Sequence, residues 1–166
     1  LSISQLNPKE FASKLHELRD EKLNRLAQFK KKNKPSKLFL ELAKANINYK
    51  YYSNKELYPL ANYSKSERDL FKILPEDFYA YRKDVDFNND LLKDYRPYNS
   101  FLRFYVNNAA LQKHFKHSDD STYNDRILDY TLDKLEVIDE KIQNQEIKNG
   151  LLNYNIIHFI SITKNT

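Results

Sequence analysis

The chain has 166 residues, 31% of them charged and 14% aromatic, with a formal net charge of +5. That length suffices for one domain with a real core, and 13 Tyr with 10 Phe argue against a disordered chain. No cysteine and a single glycine, Gly150, exclude disulfides, thiolate chemistry, cysteine-held metal clusters and glycine-rich phosphate loops.

Helix signals follow one another along the chain. Asn7-Pro8-Lys9-Glu10 predicts an N-cap, a proline at the first helical position and a carboxylate in the first turn. Phe11, Leu15, Leu18, Leu26 and Phe29 then share one face, and Lys30-Lys31-Lys32-Asn33-Lys34 closes the helix before Pro35. A second helix starts at Pro35-Ser36 with Leu38, Leu42, Ala45 and Tyr49 as its stripe. It is expected to stop near Tyr52 or, with a kink, at Glu56–Tyr58, because Pro59 cannot continue a regular ladder. The short connector makes the pair an antiparallel hairpin.

Ser64-Lys65-Ser66-Glu67 reads as a capping box before Leu70, Phe71 and Ile73. Pro75-Glu76-Asp77 predicts another helix start, with Phe78 and Tyr81 buried. Asp86 to Asp90 is a polar connector, followed by the brief apolar turn Leu91-Leu92. Pro97 opens a strong helix with Tyr98, Leu102, Tyr105 and Ala109 as its stripe, flanked by Phe101 and fading at His114 to His117. Ser118 to Ser121 is a loop, and Leu128, Leu132, Leu135, Ile138 and Ile142 define the next helix. Asn149-Gly150 is expected to break the pattern, with Ile147, Leu151, Tyr154, His158 and Ile162 on a last helical face.

No stretch alternates long enough to predict a strand, and no fixed-period repeat is visible. The fold class is therefore all-α: six to seven helices packed as antiparallel hairpins in an irregular bundle or short array. Residues 1–166 form one helical domain; the lack of methionine and the start at Leu1 point to a piece of a longer protein.

The chemistry-bearing residues have bland explanations. His114 and His117 lie three apart on one helix face, with Asp119 or Asp120 on offer, but a metal site needs more ligands and a solvated helix end accounts for them. His158 reads as a core histidine with a backbone partner, and His16 lacks the second histidine of a zinc-protease motif because position 20 is Asp20. Glu76-Asp77, Asp84 with Asp86, and Asp119-Asp120 fit helix starts and loops. No catalytic residue, cofactor or metal is expected. Lys30 to Lys34 is the one dense basic run; no aromatic residue interleaves with it, so nucleic acid is not the expected partner.

Tyrosines crowd between Tyr49 and Tyr63 and again between Tyr95 and Tyr105, too many for one small core. Tyrosine suits interfaces, with an apolar ring and a polar tip. The candidate binding residues are Tyr51, Tyr52, Tyr58, Tyr63, Tyr95 and Tyr98.

Phe39 to Tyr52 (FLELAKANINYKYY), Leu74 to Leu92 (LPEDFYAYRKDVDFNNDLL), Tyr98 to Tyr105 (YNSFLRFY) and Ile147 to Thr163 (IKNGLLNYNIIHFISIT) carry a likeness. In these segments the chain resembles the helical region before the thioredoxin-fold domain of Bacteroidetes TlpA-like thiol-disulfide oxidoreductases. The resemblance implies an exported, periplasmic or outer-face protein whose membrane anchor lies outside this chain. Its redox chemistry would reside in a Cys-x-x-Cys motif that this chain lacks. It also implies a non-catalytic interaction or spacer module, with that thioredoxin-fold domain or another protein as partner. The alternative from the residues themselves is a basic helical module that binds nucleic acid or an anionic surface through Lys30 to Lys34.

Overall fold

A computed structural model describes residues 3–62 and 65–164, and among these it contains six α-helices and no strand. They are α1 (Pro8–Asn33), α2 (Lys37–Ala61), α3 (Glu67–Lys72), α4 (Arg96–His114), α5 (Leu128–Lys141) and α6 (Gln145–Thr163). Short 3-10 helices occupy Ile3–Gln5, Ala80–Asp84 and Asp90–Leu92.

The ends follow the local chemistry. Asn7 accepts the Glu10 amide at 2.9 Å, and Ser36 accepts that of Phe39 at 3.2 Å. Lys34 terminates α1 in the left-handed conformation, φ 45°. Ser66 caps α3, accepting from the Asp69 amide and donating to its carboxylate at 2.8 Å; Ser64 of the expected capping box lies outside the described residues.

Two expectations about boundaries fail for identifiable reasons. α2 runs through Pro59 to Ala61. The proline removes the amide bond to the Lys55 carbonyl, and Asn108 ties the next carbonyl, that of Glu56, by donating to it at 3.0 Å. The α-helix expected after Pro75 is instead a series of turns closed by Phe78 to Pro75, Ala80 to Asp77 and Arg82 to Tyr79. Three-residue turns send Phe78 into one core and the Arg82 guanidinium onto Glu56.

Helices pack as chain neighbours: α1 on α2, α2 on α4, α4 on α5, and α5 on α6. The main core surrounds α4, where Tyr98, Phe101, Leu102, Val106, Ala110 and Leu111 are buried. Tyr49 from α2 meets the Tyr98 ring edge-on at 4.9 Å. Each such buried side chain contributes about 1.5–3 kcal/mol over its exposed state. A smaller core joins Phe11 and Leu15 of α1 to Tyr58, Leu70 and Phe78. Between Leu15 and Tyr49 no residue is fully buried, so the outer part of the α1–α2 hairpin is an arm beyond both cores.

Three faces differ from expectation. On α5 the buried residues are Tyr130, Thr131, Asp133, Lys134, Val137 and Ile138; of the expected stripe Ile138 and Ile142 are interior, while Leu128 and Leu132 are exposed. Leu18, Phe29 and Leu38 are exposed on the arm. Gly150 lies inside α6 rather than at a break; the chain turns at Ile142 to Asn144, where Asn144 caps α6 by accepting from Glu146 and Ile147.

Candidate functional site

The densest group of chemistry-bearing side chains forms where α4 ends against α5. His114 occupies the last turn of α4, and His117 follows in a turn closed by its amide to the His114 carbonyl at 3.1 Å. Asp133 arrives from α5, on the face that also buries Tyr130 and Val137. Its carboxylate sits 3.2 Å from His114 Nδ1 and 3.0 Å from His117 Nε2. The second nitrogen of His114, Nε2, faces Asp120 Oδ2 at 2.9 Å. The side chains of His114 and Asp133 are 4% and 6% exposed, whereas half of His117 reaches solvent. His114 is thus an interior residue, not part of a solvated helix end.

Surrounding groups hold this cluster in place. Arg68 of α3 donates to the carbonyls of Phe115 at 2.9 Å, Ser118 at 2.5 Å and Asp120 at 2.6 Å. Its guanidinium also rests 4.6 Å from the Phe115 ring center. One side chain therefore satisfies the carbonyl of the residue that caps α4, Phe115, and two carbonyls of the loop that follows. Ser118 donates to Asp120 Oδ2 at 2.8 Å. The hydrogen bonds from His114 and then Ser118 hold the Asp120 carboxyl below its ordinary range. The donor atoms of His114, His117 and Asp133 lie within 4.8 Å of one another. Sequence reading found both histidines but missed Asp133 and Arg68. They come from other helices, and only the i, i+3 spacing is a local signal.

A second polar cluster is interior. Glu56, fully buried, accepts from Arg82 at 2.8 and 2.5 Å, from Asn108 at 2.7 Å and from the Tyr81 hydroxyl. Burial pushes the Glu56 carboxyl up, against the pull of Arg82, Tyr81 and Asn108. Burial works against the Arg82 charge, yet Glu56 holds it above its ordinary range. Arg82 also stacks 3.9 Å over the Tyr79 ring. Among the described residues no fully buried side-chain polar atom lacks a partner. This network fastens the 76–84 turn to α2 and α4.

A third pairs α5 with the turn before it and with α6. Lys134 Nζ bonds Asp125 at 2.6 Å and lies 4.2 Å from the Tyr130 ring center, while His158 meets Asp125 at 3.3 Å. His158 therefore has a carboxylate partner instead of the backbone partner expected, and is partly exposed.

The tyrosines divide. Tyr58 and Tyr98 are interior, correcting their expected place on a binding surface. Their hydroxyls donate to the carbonyls of Leu6 at 2.6 Å and Asp86 at 3.0 Å, which lets the polar tip be buried. Tyr51 and Tyr52 are half-buried; Tyr52 stacks on Tyr81 at 4.5 Å, and Arg19 covers Tyr51 at 4.9 Å. Tyr95 donates to the Leu42 carbonyl and lines a groove of 520 Å³ with Asn46, Ser100 and Phe104. Tyr63 lies outside the described residues.

Among the exposed apolar side chains of the described residues, two groups stand out. At the tip of the arm, Phe29 and Phe39 sit 5.6 Å apart and exposed, among the exposed Lys30, Lys31, Lys32, Lys34 and Lys37. The fold thus places an aromatic pair among lysines that the sequence order keeps apart. The other surface is the second half of α6, where Tyr154, Ile156, Ile157 and Ile160 are 41%, 42%, 66% and 42% exposed. Among the described residues no helix is long and apolar enough to cross a membrane.

No family model matches the chain, and neither does any curated protein or solved structure.

Proposed function

We propose that the chain is a non-catalytic helical interaction and spacer module of an exported, TlpA-like thioredoxin-family protein, and that α6 docks the thioredoxin-fold domain of that protein. The observation that carries this reading is the apolar second half of α6. Ile147, Leu151 and Asn155 are the buried residues of this helix, yet isoleucines continue around its far side. A helix apolar on more than one face is normally covered on more than one face, and contiguous exposed apolar surface marks interaction sites. The same helix lies in the Ile147 to Thr163 segment that carries the family likeness.

The test starts from the coding sequence beyond Thr166, where a Cys-x-x-Cys thioredoxin fold is expected. With that domain expressed separately, an Ile157→Lys/Ile160→Lys variant should bind it at least about tenfold more weakly, because two charges would enter a desolvated apolar contact. Its melting temperature should stay that of the parent chain. A gene that encodes no such domain, or unchanged affinity, refutes the proposal.

The tip of the arm favors a second reading. Exposed Phe29 and Phe39 beside five lysines suit an anionic surface, whether nucleic acid or lipid headgroups. Binding to a duplex or to anionic vesicles that weakens steeply with salt, and vanishes in a Lys30/Lys31/Lys32→Ala variant, would support it.

A further inference from the structure

We infer that His114, His117 and Asp133 form a binding site for a first-row divalent transition-metal ion of the zinc type. The inference is independent of the α6 docking reading and rests on two separate features of the geometry.

The first is the donor set. Two imidazole nitrogens and one carboxylate oxygen are the ligand types that such ions take from protein side chains. Ligands about 2.1 Å from a tetrahedral ion stand about 3.4 Å from one another. His114 Nδ1 to Asp133 Oδ2 is 3.2 Å, and His117 Nε2 to the same oxygen is 3.0 Å. The imidazole rings are nearly perpendicular, 86° apart with centers 5.2 Å from one another, so both nitrogens converge on the Asp133 oxygen without the rings colliding. Small adjustments would replace the two hydrogen bonds with metal bonds. Half of the His117 side chain reaches solvent, so the cluster borders water, which would complete the shell.

The second feature is the outer partner. A metal-ligating histidine characteristically donates its other ring N–H to a carboxylate, which fixes the tautomer and orients the ring. His114 has that arrangement: Nδ1 faces the site, and Nε2 faces Asp120 at 2.9 Å. Asp120 is itself fixed by Ser118 and by the loop that Arg68 holds through three carbonyls. A carboxylate is thus aimed at the nitrogen that would not bind the ion. Among the described residues the surface pair of His16 and Asp20 gains no third ligand; it is the natural control. A bound ion would pin α4 to α5 and close the 115–127 segment between them.

The experiment titrates the purified chain with zinc and, for a spectroscopic signature, with cobalt(II). The expected result is one ion per chain, visible cobalt d–d absorption typical of nitrogen and oxygen ligation, and a zinc-dependent rise in melting temperature. His117→Ala, a half-exposed position whose loss leaves the cores intact, abolishes all three. Asp133→Asn, on the neighboring helix, does the same. Asp120→Ala lowers affinity about 10- to 100-fold, the usual effect of removing an outer carboxylate. His16→Ala changes nothing. No stoichiometric binding overturns the inference. So does binding that survives His117→Ala, binding removed by His16→Ala, or an affinity unchanged by Asp120→Ala.

Discussion

Lys134 shows how a single residue can look like surface in the sequence and be interior in the fold. Its side chain is 4% exposed, and its charge is held by Asp125 at 2.6 Å and by the Tyr130 ring. Burial lowers the Lys134 amine, partly offset by Asp125. Burial also pushes the Asp125 carboxyl up, but the hydrogen bonds from Lys134 and Tyr123 outweigh it and leave Asp125 below its ordinary range. Removing the anion would leave a buried cation without its partner. Asp125→Asn should therefore cost about 2–3 kcal/mol at neutral pH in urea denaturation. The sign of the pH dependence follows from the depressed carboxyl. Its contribution is complete above the unfolded value of about 3.9 and is lost as pH falls through the lower folded value. Parent and variant should accordingly differ at pH 7 and converge in strong acid; a gap that widens on acidification would contradict this assignment.

At the scale of elements, local signals placed most helix starts and fewer of the stops. Asn7 and Ser36 cap where their sequence contexts predict, because a cap is a bond to an amide three residues away, whereas α3 is capped by Ser66, two residues after the Ser64 that the capping-box pattern points to. Pro59 and Gly150 were read as breakers, yet both lie within helices. Packing of neighboring elements can override a propensity of about 1 kcal/mol for glycine. Gly150 is exposed, its φ is not positive, and a Cβ built there meets nothing within 4 Å. Gly150→Ala should therefore raise stability by about 0.5–1 kcal/mol in thermal or urea unfolding. A loss of stability would mean that α6 does not run through this position as described.

At the scale of the whole molecule, burial is uneven. α4 sits in the main core and touches both α2 and α5, whereas the arm from residues 16 to 41 has no fully buried side chain and none packed against either core. Local opening follows such differences in buried contacts. In native-state hydrogen exchange, amides between Leu102 and Leu111 should exchange only through global unfolding. Amides between residues 20 and 40 should exchange earlier, through an opening that leaves α4 protected. Equal protection of both regions would refute this ordering. An arm beyond the cores and an apolar face on α6 also set the two surfaces available to partners at separate places on the chain.

The sequence by itself determined that the chain is helical and where most of the helices begin. Periodicity, capping and proline placement act over three to seven residues and need no knowledge of the rest. Only the tertiary structure decided which face of α5 turns inward. Leu128 and Leu132 fit one helical stripe and Tyr130, Asp133, Lys134 and Val137 another; the second is buried because His114, His117 and Asp125 satisfy its polar members. Likewise, spacing put His114 and His117 on one turn, but their shared carboxylate lies 16 to 19 residues away on another helix. Hydrogen bonds between side chains on different elements leave no period in the sequence, so that cluster became legible only once α4 and α5 were packed together.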